Sequence, residues 1–278
     1  MPLAKLFGGD IHYEINGHPI RSQSTPVIIL KPLSRGPVGV QPFISLLSEN
    51  FTVINYDQRG LGQSQPPLTS GPVSMKERAT EIFELLDSLS INKVHLVCHS
   101  TGCGIGLSMT DMHPKRVSSI VLISPWTHAD NHLLKMQNLR VSAAKALEPL
   151  DYFRFNISLL YPTHYRRDHE EGFSEMELVS QNLKVDSKFI SEGLIPILEF
   201  DSREITHKVK CPALISFSID DQLMPPWFGK SMAKDIPGAE LLVFKNGGHM
   251  VPETCTVELA SGIIKFIKEY HPQPKYNK

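Results

Sequence analysis

Apolar residues in this chain fall into short unbroken runs separated by polar loops and by stretches with helical spacing. Runs at 26–30, 51–56, 92–97, 117–123, 213–217 and 240–244 have strand length and little alternation. That pattern fits strands covered by helices on both faces. His95 interrupts the third run and reads as a packed or edge histidine. The opening segment differs: Ile11 to Ile15 alternates and ends at Asn16-Gly17, a turn signal. It predicts two short antiparallel strands near the N-terminus. Helical spacing appears between the runs, at 40–48, 74–89, 104–110, 228–236 and 257–270. Ser74 with Glu77 three residues on forms a capping box for the second of these helices.

The rhythm breaks once. From 126 to 207 no buried strand is evident, and apolar spacing predicts helices near 133–147, 152–160, 174–183 and 187–198, interrupted by Pro149, Pro162 and Pro196. The expected fold is α/β: a mostly parallel eight-stranded sheet with helices on both faces and a helical cap inserted after the sixth strand. The expected divisions are a core in two parts (1–125 and 208–270), the cap (126–207) and a flexible polar tail (271–278). In such sheets ligands bind beyond the carboxyl ends of the strands, so the loops at 31–37, 57–64, 98–101, 124–130, 218–225 and 246–250 carry the function.

Composition narrows the field. With 278 residues and a formal charge of -1, the chain can bury a real core and lacks the basic balance of a nucleic-acid binder. No stretch approaches the roughly 20 apolar residues of a membrane span, and no signal peptide is evident. Cys98, Cys103, Cys211 and Cys255 form neither a zinc pattern nor a disulfide framework, which suggests a reducing, cytoplasmic setting. The expected partner is a small-molecule substrate, with pairing into a homodimer left open. No cofactor or metal is called for. Gly60-Leu61-Gly62 lacks the third glycine of a dinucleotide fingerprint, and Asp57, Asp220 and Asp221 lack histidine companions at ligand spacing.

The chemistry centres on Val97-Cys98-His99-Ser100-Thr101-Gly102-Cys103, which joins a buried strand to a glycine-rich helix. A tight strand-to-helix turn lifts one side chain clear of the sheet and aims the first free N–H groups of the helix at whatever it attacks. Ser100 sits at that crossing. A hydroxyl needs a base, and the base needs an orienting carboxylate. His249 follows Gly247-Gly248 after the last strand, and Asp220 and Asp221 follow the strand before it. Of the two, Asp221 is preferred as the acid; Asp130 is a remote alternative. The backbone N–H of Thr101 is one expected oxyanion donor. The second must come from the loop after the first central strand. Pro32 has no N–H, so Leu33 is expected there with Ser34 in reserve. Trp126, His128, Tyr161, Trp227 and Met250 flank these loops or the cap and, with Ser34, are candidates to line the pocket.

At these residues the chain resembles the α/β-hydrolase superfamily over nearly its whole length. The resemblance rests on the elbow at Ser100, the turn Tyr56-Asp57-Gln58-Arg59-Gly60-Leu61-Gly62-Gln63-Ser64, the acid loop ending at Pro225, and Gly248-His249. It implies Ser100 as nucleophile, Asp221 as acid, His249 as base and 126–207 as a cap. A closer resemblance is to the aminoacrylate hydrolase of pyrimidine degradation and related enol-lactone hydrolases, through Tyr56 to Gly60, Leu160-Tyr161-Pro162, Asp220 to Pro225 and Gly247-Gly248-His249. Two positions depart from the superfamily pattern: Lys31-Pro32 replaces His-Gly, and Cys98 replaces the first elbow glycine. The expected activity is hydrolysis of a small or medium carboxylic ester or lactone. A carbon–carbon or carbon–nitrogen bond hydrolase with the same triad, a non-catalytic ligand receptor and a cofactor-free oxygenase are the other readings.

Overall fold

A computed structural model describes residues 2–20, 24–32, 40–67, 71–181 and 185–270. Eight strands form one sheet in the order β1-β2-β4-β3-β5-β6-β7-β8. They are β1 (Leu3–Leu6), β2 (Gly9–Gly17), β3 (Val27–Leu30), β4 (Thr52–Tyr56), β5 (Val94–His99), β6 (Val117–Ile123), β7 (Ala213–Ser218) and β8 (Glu240–Phe244). β1, β2 and β4 pair antiparallel, and β3 to β8 run parallel. The apolar runs account for this: β3, β5 and β7 are buried at every position, because helices cover both faces.

The helices are α1 (Gln41–Ser48), α2 (Met75–Ser88), α3 (Thr101–Met112), α4 (Asn131–Ala146), α5 (Pro149–Leu160), α6 (Thr163–Asp168), α7 (Glu170–Ser180), α8 (Ser187–Glu199), α9 (Arg203–Thr206), α10 (Pro226–Asp235), α11 (Val251–Thr254) and α12 (Thr256–Tyr270). One apolar layer joins α1 and α12 to Val27, Ile29, Val97 and Val121, and the other joins α2 and α3 to Ile28, Leu30, Leu96 and Leu122. Alternate residues of the same strands thus feed opposite layers, as strand geometry requires. Ser74 caps α2 with the expected reciprocal bonds to Glu77.

Three local expectations shift. The N-terminal hairpin turns at Phe7-Gly8, not at Asn16-Gly17; β2 runs on to Gly17 because its far end pairs with β4. The central strand extends through Cys98 and His99, both buried and in register with β6. Pro196 lies inside α8, near its C-terminal end, rather than breaking it.

The insertion between β6 and β7 is helical, α4 to α9. Its two ends are pinched together: Ser202 donates both its N–H (2.7 Å) and its hydroxyl (2.9 Å) to the carbonyl of Thr127. Trp126, fully buried, fastens the insertion from the core side, with Nε1 donating to the Ile197 carbonyl at 3.1 Å and its ring edge-on to Phe200.

Candidate active site

Ser100 stands between β5 and α3 with φ 52° and ψ -118°. A left-handed φ at a non-glycine residue costs backbone strain that the surroundings must hold. Gly102 is part of that hold: a Cβ there would lie 2.0 Å from the Leu30 carbonyl oxygen, so only glycine lets α3 approach β3 this closely. Cys98 is accommodated in the same way. A Cβ at Gly106 would lie 2.4 Å from the Cys98 Sγ, so the absent side chain on α3 leaves room for the sulfur on β5. Burial pushes the Cys98 and Cys103 thiols up, keeping both protonated beside the serine.

Ser100, His249 and Asp221 meet at hydrogen-bond distance. The Ser100 hydroxyl lies 2.9 Å from His249 Nε2, and His249 Nδ1 lies 2.9 Å from Asp221 Oδ2. With Asp221 ionised, the network assigns Nδ1–H as donor to the carboxylate and leaves Nε2 to accept from the serine. All three residues are buried. Asp221 uses its other oxygen to accept from the N–H groups of Leu223 (2.9 Å) and Met224 (2.8 Å), which fixes the carboxylate plane.

The neighbouring acids have other work. Asp220 Oδ1 accepts from the N–H groups of Gly247 (3.0 Å) and Gly248 (2.8 Å) and from the Ser218 hydroxyl. It therefore holds the histidine loop, while Asp221 holds the histidine. Asp130 caps α4 by accepting from Leu133 N–H at 2.8 Å and accepts from Trp227 Nε1 at 3.1 Å. Asp57 gains a histidine neighbour that its sequence spacing conceals: His12 Nδ1 lies 2.9 Å away, across 45 residues. Lys31 faces the other oxygen of Asp57 at 3.7 Å. Among the described residues no three histidine, cysteine or acidic side chains converge as a metal site requires.

Thr101 opens α3, where N–H groups have no partner within the helix. Leu33 and Ser34 lie outside the described residues. The root of their loop is described: Gln58 Nε2 donates to the carbonyls of Lys31 (2.8 Å) and Pro32 (3.2 Å), while Arg78 donates to Gln58 Oε1 at 3.3 Å. Gln58 is buried, and its contribution is readable only in three dimensions, since its three partners are all remote in sequence.

Of the pocket candidates, Trp126 is committed to the core–insertion contact described above. His128 Nδ1 lies 3.0 Å from the Thr127 hydroxyl, and Trp227 is about half exposed, edge-on to His132. Met250 and Tyr161 are buried, and the Tyr161 hydroxyl donates to Glu253 at 2.7 Å. Burial, and then the Glu253 charge, push the Tyr161 phenol far above its ordinary range. The adjacent Leu160 carbonyl accepts from the His249 N–H at 2.9 Å, so the end of α5 rests directly on the catalytic loop.

His99 is a site residue that sequence reasoning passes over. Its Nε2–H donates at 2.9 Å to the backbone carbonyl of His249, 150 residues away, and the two rings sit 5.4 Å apart. Ser124 adds a longer bond to the same carbonyl. Burial, and secondarily the nearby His249, lower the His99 pKa to about 3. It is a neutral clamp on the backbone of the base.

Residues 26–254 match the model of the α/β hydrolase fold family. A protein of Caulobacter sp. (strain K31), "Putative carbamate hydrolase RutD", is 26% identical over 257 residues, covering 92% of this chain and 95% of that one. Its namesake in Caulobacter segnis is 27% identical over 271 residues, covering 93% and 96%. In architecture the chain is similar to the enol-lactonase of Burkholderia xenovorans LB400, with a TM-score of 0.82, 20% identity, and coverage of 96% and 100%.

Proposed function

The chain belongs to the α/β-hydrolase fold family, and on that premise we propose that it hydrolyses a small or medium carboxylic ester or lactone through an acyl-enzyme on Ser100. The observation that carries this is the continuous line from Asp221 through His249 to the Ser100 hydroxyl, with both links at 2.9 Å.

Ser100 Oγ attacks the carbonyl carbon while His249 Nε2 takes its proton. The carbonyl π bond opens to an oxyanion, held by the backbone N–H groups of Thr101 and Leu33. Collapse expels the alcohol, which leaves with the proton from His249. A water then gives a proton to His249 and adds to the acyl carbon, and collapse returns the proton to Ser100 with release of the acid. Asp221 stays ionised and steadies the imidazolium formed in each half. The helical insertion forms the roof of the pocket. Met250 and Tyr161 at the His249 loop, with Trp227 and His128 beside the start of the insertion, bound the space for the substrate. The cysteine usage supports a cytoplasmic setting.

A second reading has specific support, since the Caulobacter relatives are named as carbamate hydrolases: cleavage of a carbon–nitrogen bond by the same triad. A panel of p-nitrophenyl esters, lactones and N-alkyl carbamates, with products identified by mass, tests both. Ester and lactone turnover abolished by Ser100→Ala supports the first reading. Turnover confined to carbamates supports the second. No turnover of any acyl compound contradicts both.

A further inference from the structure

The structure assigns Leu160-Tyr161-Pro162 as a strap by which the insertion positions His249, with Tyr161 as the positioning residue that keeps the strap seated. This rests on the serine-hydrolase reading and adds a requirement to it: the base is aligned only while the insertion is docked on its loop.

The sequence makes the strap. Pro162 cannot continue a helix, and it drives the residue before it into extended backbone. Accordingly α5 ends at Leu160, and Tyr161 has φ -115° and ψ 136°. The last carbonyls of a helix have no partner within it. That of Leu160 is therefore available, and it accepts from the His249 N–H at 2.9 Å. The Tyr161 ring stays with the insertion, stacked on Tyr165 at 5.8 Å and edge-on to Phe173 at 5.1 Å. Its hydroxyl crosses to the core and donates to Glu253 Oε2 on α11 at 2.7 Å.

Glu253 and His249 belong to one body. α11 begins directly after Met250, the Glu253 N–H donates to the Met250 carbonyl at 2.8 Å, and the Thr254 hydroxyl donates to the Gly247 carbonyl at 2.7 Å. A bond to Glu253 is thus a bond to the frame that carries the base. The fit against that frame is close. Gly248 has φ 60°, and a Cβ there would lie 2.7 Å from the Leu160 carbonyl oxygen and 2.8 Å from Pro162 Cδ.

The backbone of His249 is consequently held from two sides. His99 and Ser124 of the core hold its carbonyl, and Leu160 of the insertion holds its N–H. Both grips set where Nε2 stands relative to the Ser100 hydroxyl. A general base works within hydrogen-bond reach of the proton it takes, so a small displacement costs rate more than it costs binding. Tyr161 is buried, and a hydrogen bond to a carboxylate is about twice as strong as one between neutral groups.

The test is Tyr161→Phe, which removes the hydroxyl and keeps the ring. The readout is the rate at which a fluorophosphonate labels Ser100, followed by intact mass. Labelling is expected to slow by about tenfold, the scale of one hydrogen bond to a charged group. On an ester that the native chain turns over, kcat should fall by a similar factor with KM within about twofold. Glu253→Gln keeps an acceptor oxygen and should retain most of the native rate. Glu253→Leu should match Tyr161→Phe, and the double variant should be no slower than either single one, because the two groups act as a pair. In a His249→Ala background, Tyr161→Phe should leave the residual labelling unchanged, since the hydroxyl acts through the base. If Tyr161→Phe fails to fold, Glu253→Leu takes its place with the same expectations. Labelling at the native rate, a rise in KM with kcat unchanged, or an equal slowing in the His249→Ala background overturns the strap. Absence of labelling in the native chain overturns the serine-hydrolase reading instead.

Discussion

The core loops and the helical insertion solve opposite electrostatic problems. In the core, every polar group of the triad has its partner: Asp221 accepts three hydrogen bonds, Asp220 accepts three, and His99 steadies the carbonyl of His249. In the insertion, Gln137 Nε2 and Arg166 Nε are buried without a hydrogen-bond partner. A satisfied network holds one geometry, which is what proton transfer from Ser100 needs. An unsatisfied one holds its geometry less tightly. The difference teaches that the chemistry resides in the core loops.

The sharpest way to break the core side is at the triad. Asp221→Asn should lower kcat by about 10⁴-fold, because the Leu223 and Met224 N–H groups keep the amide oxygen and turn its NH2 toward Nδ1, which favours the unreactive tautomer. Steady-state kinetics on any turned-over ester reads this. Asp220→Asn should separate from it, losing about 1–3 kcal/mol of stability in denaturant unfolding as the Gly247 and Gly248 N–H groups lose a charged acceptor, with a far smaller fall in kcat. Equal kcat losses for the two would erase the division of labour between these adjacent carboxylates.

The joint between the two regions comes next. Trp126→Ala should destabilise the chain by about 3–5 kcal/mol, since it empties a fully buried site and removes the bond to Ile197. Denaturant midpoints check this. A change below about 1 kcal/mol would mean that the insertion is held elsewhere.

The smallest effect is a pH dependence at His99. Its folded pKa of about 3 is below the unfolded value near 6.5, so at intermediate pH the unfolded chain binds a proton that the folded chain refuses. Stability is thus undiminished above about pH 6.5 and is lost as pH falls toward 3, by about 2 kcal/mol at pH 5 from this residue. His99→Gln should flatten that slope between pH 6.5 and 4 in thermal melts. An unchanged slope would show that His99 is not the group refusing the proton.

Much of this was legible in the chain because strand ends position loops. The apolar runs located the strands, and the loops beyond them already contained Ser100, Asp221 and His249. What stayed hidden depends on contacts between remote positions. The hairpin at Phe7-Gly8 lost out to Asn16-Gly17 because local turn chemistry cannot show that β2 continues to pair with β4. Cys98 looked like a departure until Gly106, eight residues on, proved to face its sulfur. His99 bonds a backbone carbonyl 150 residues away, which no side-chain pattern records. The short helices α6 and α9 were also unread, since four to six residues carry too little periodicity.

The central claim is that Ser100 is an activated nucleophile driven by His249. Intact-protein mass spectrometry after exposure to a fluorophosphonate tests it most directly, on the native chain beside Ser100→Ala and His249→Ala. The account predicts a single adduct on the native chain, mapped to the peptide holding Ser100, absent in Ser100→Ala and strongly slowed in His249→Ala. A folded native chain that takes up no adduct, or one that is labelled equally in Ser100→Ala, would contradict it.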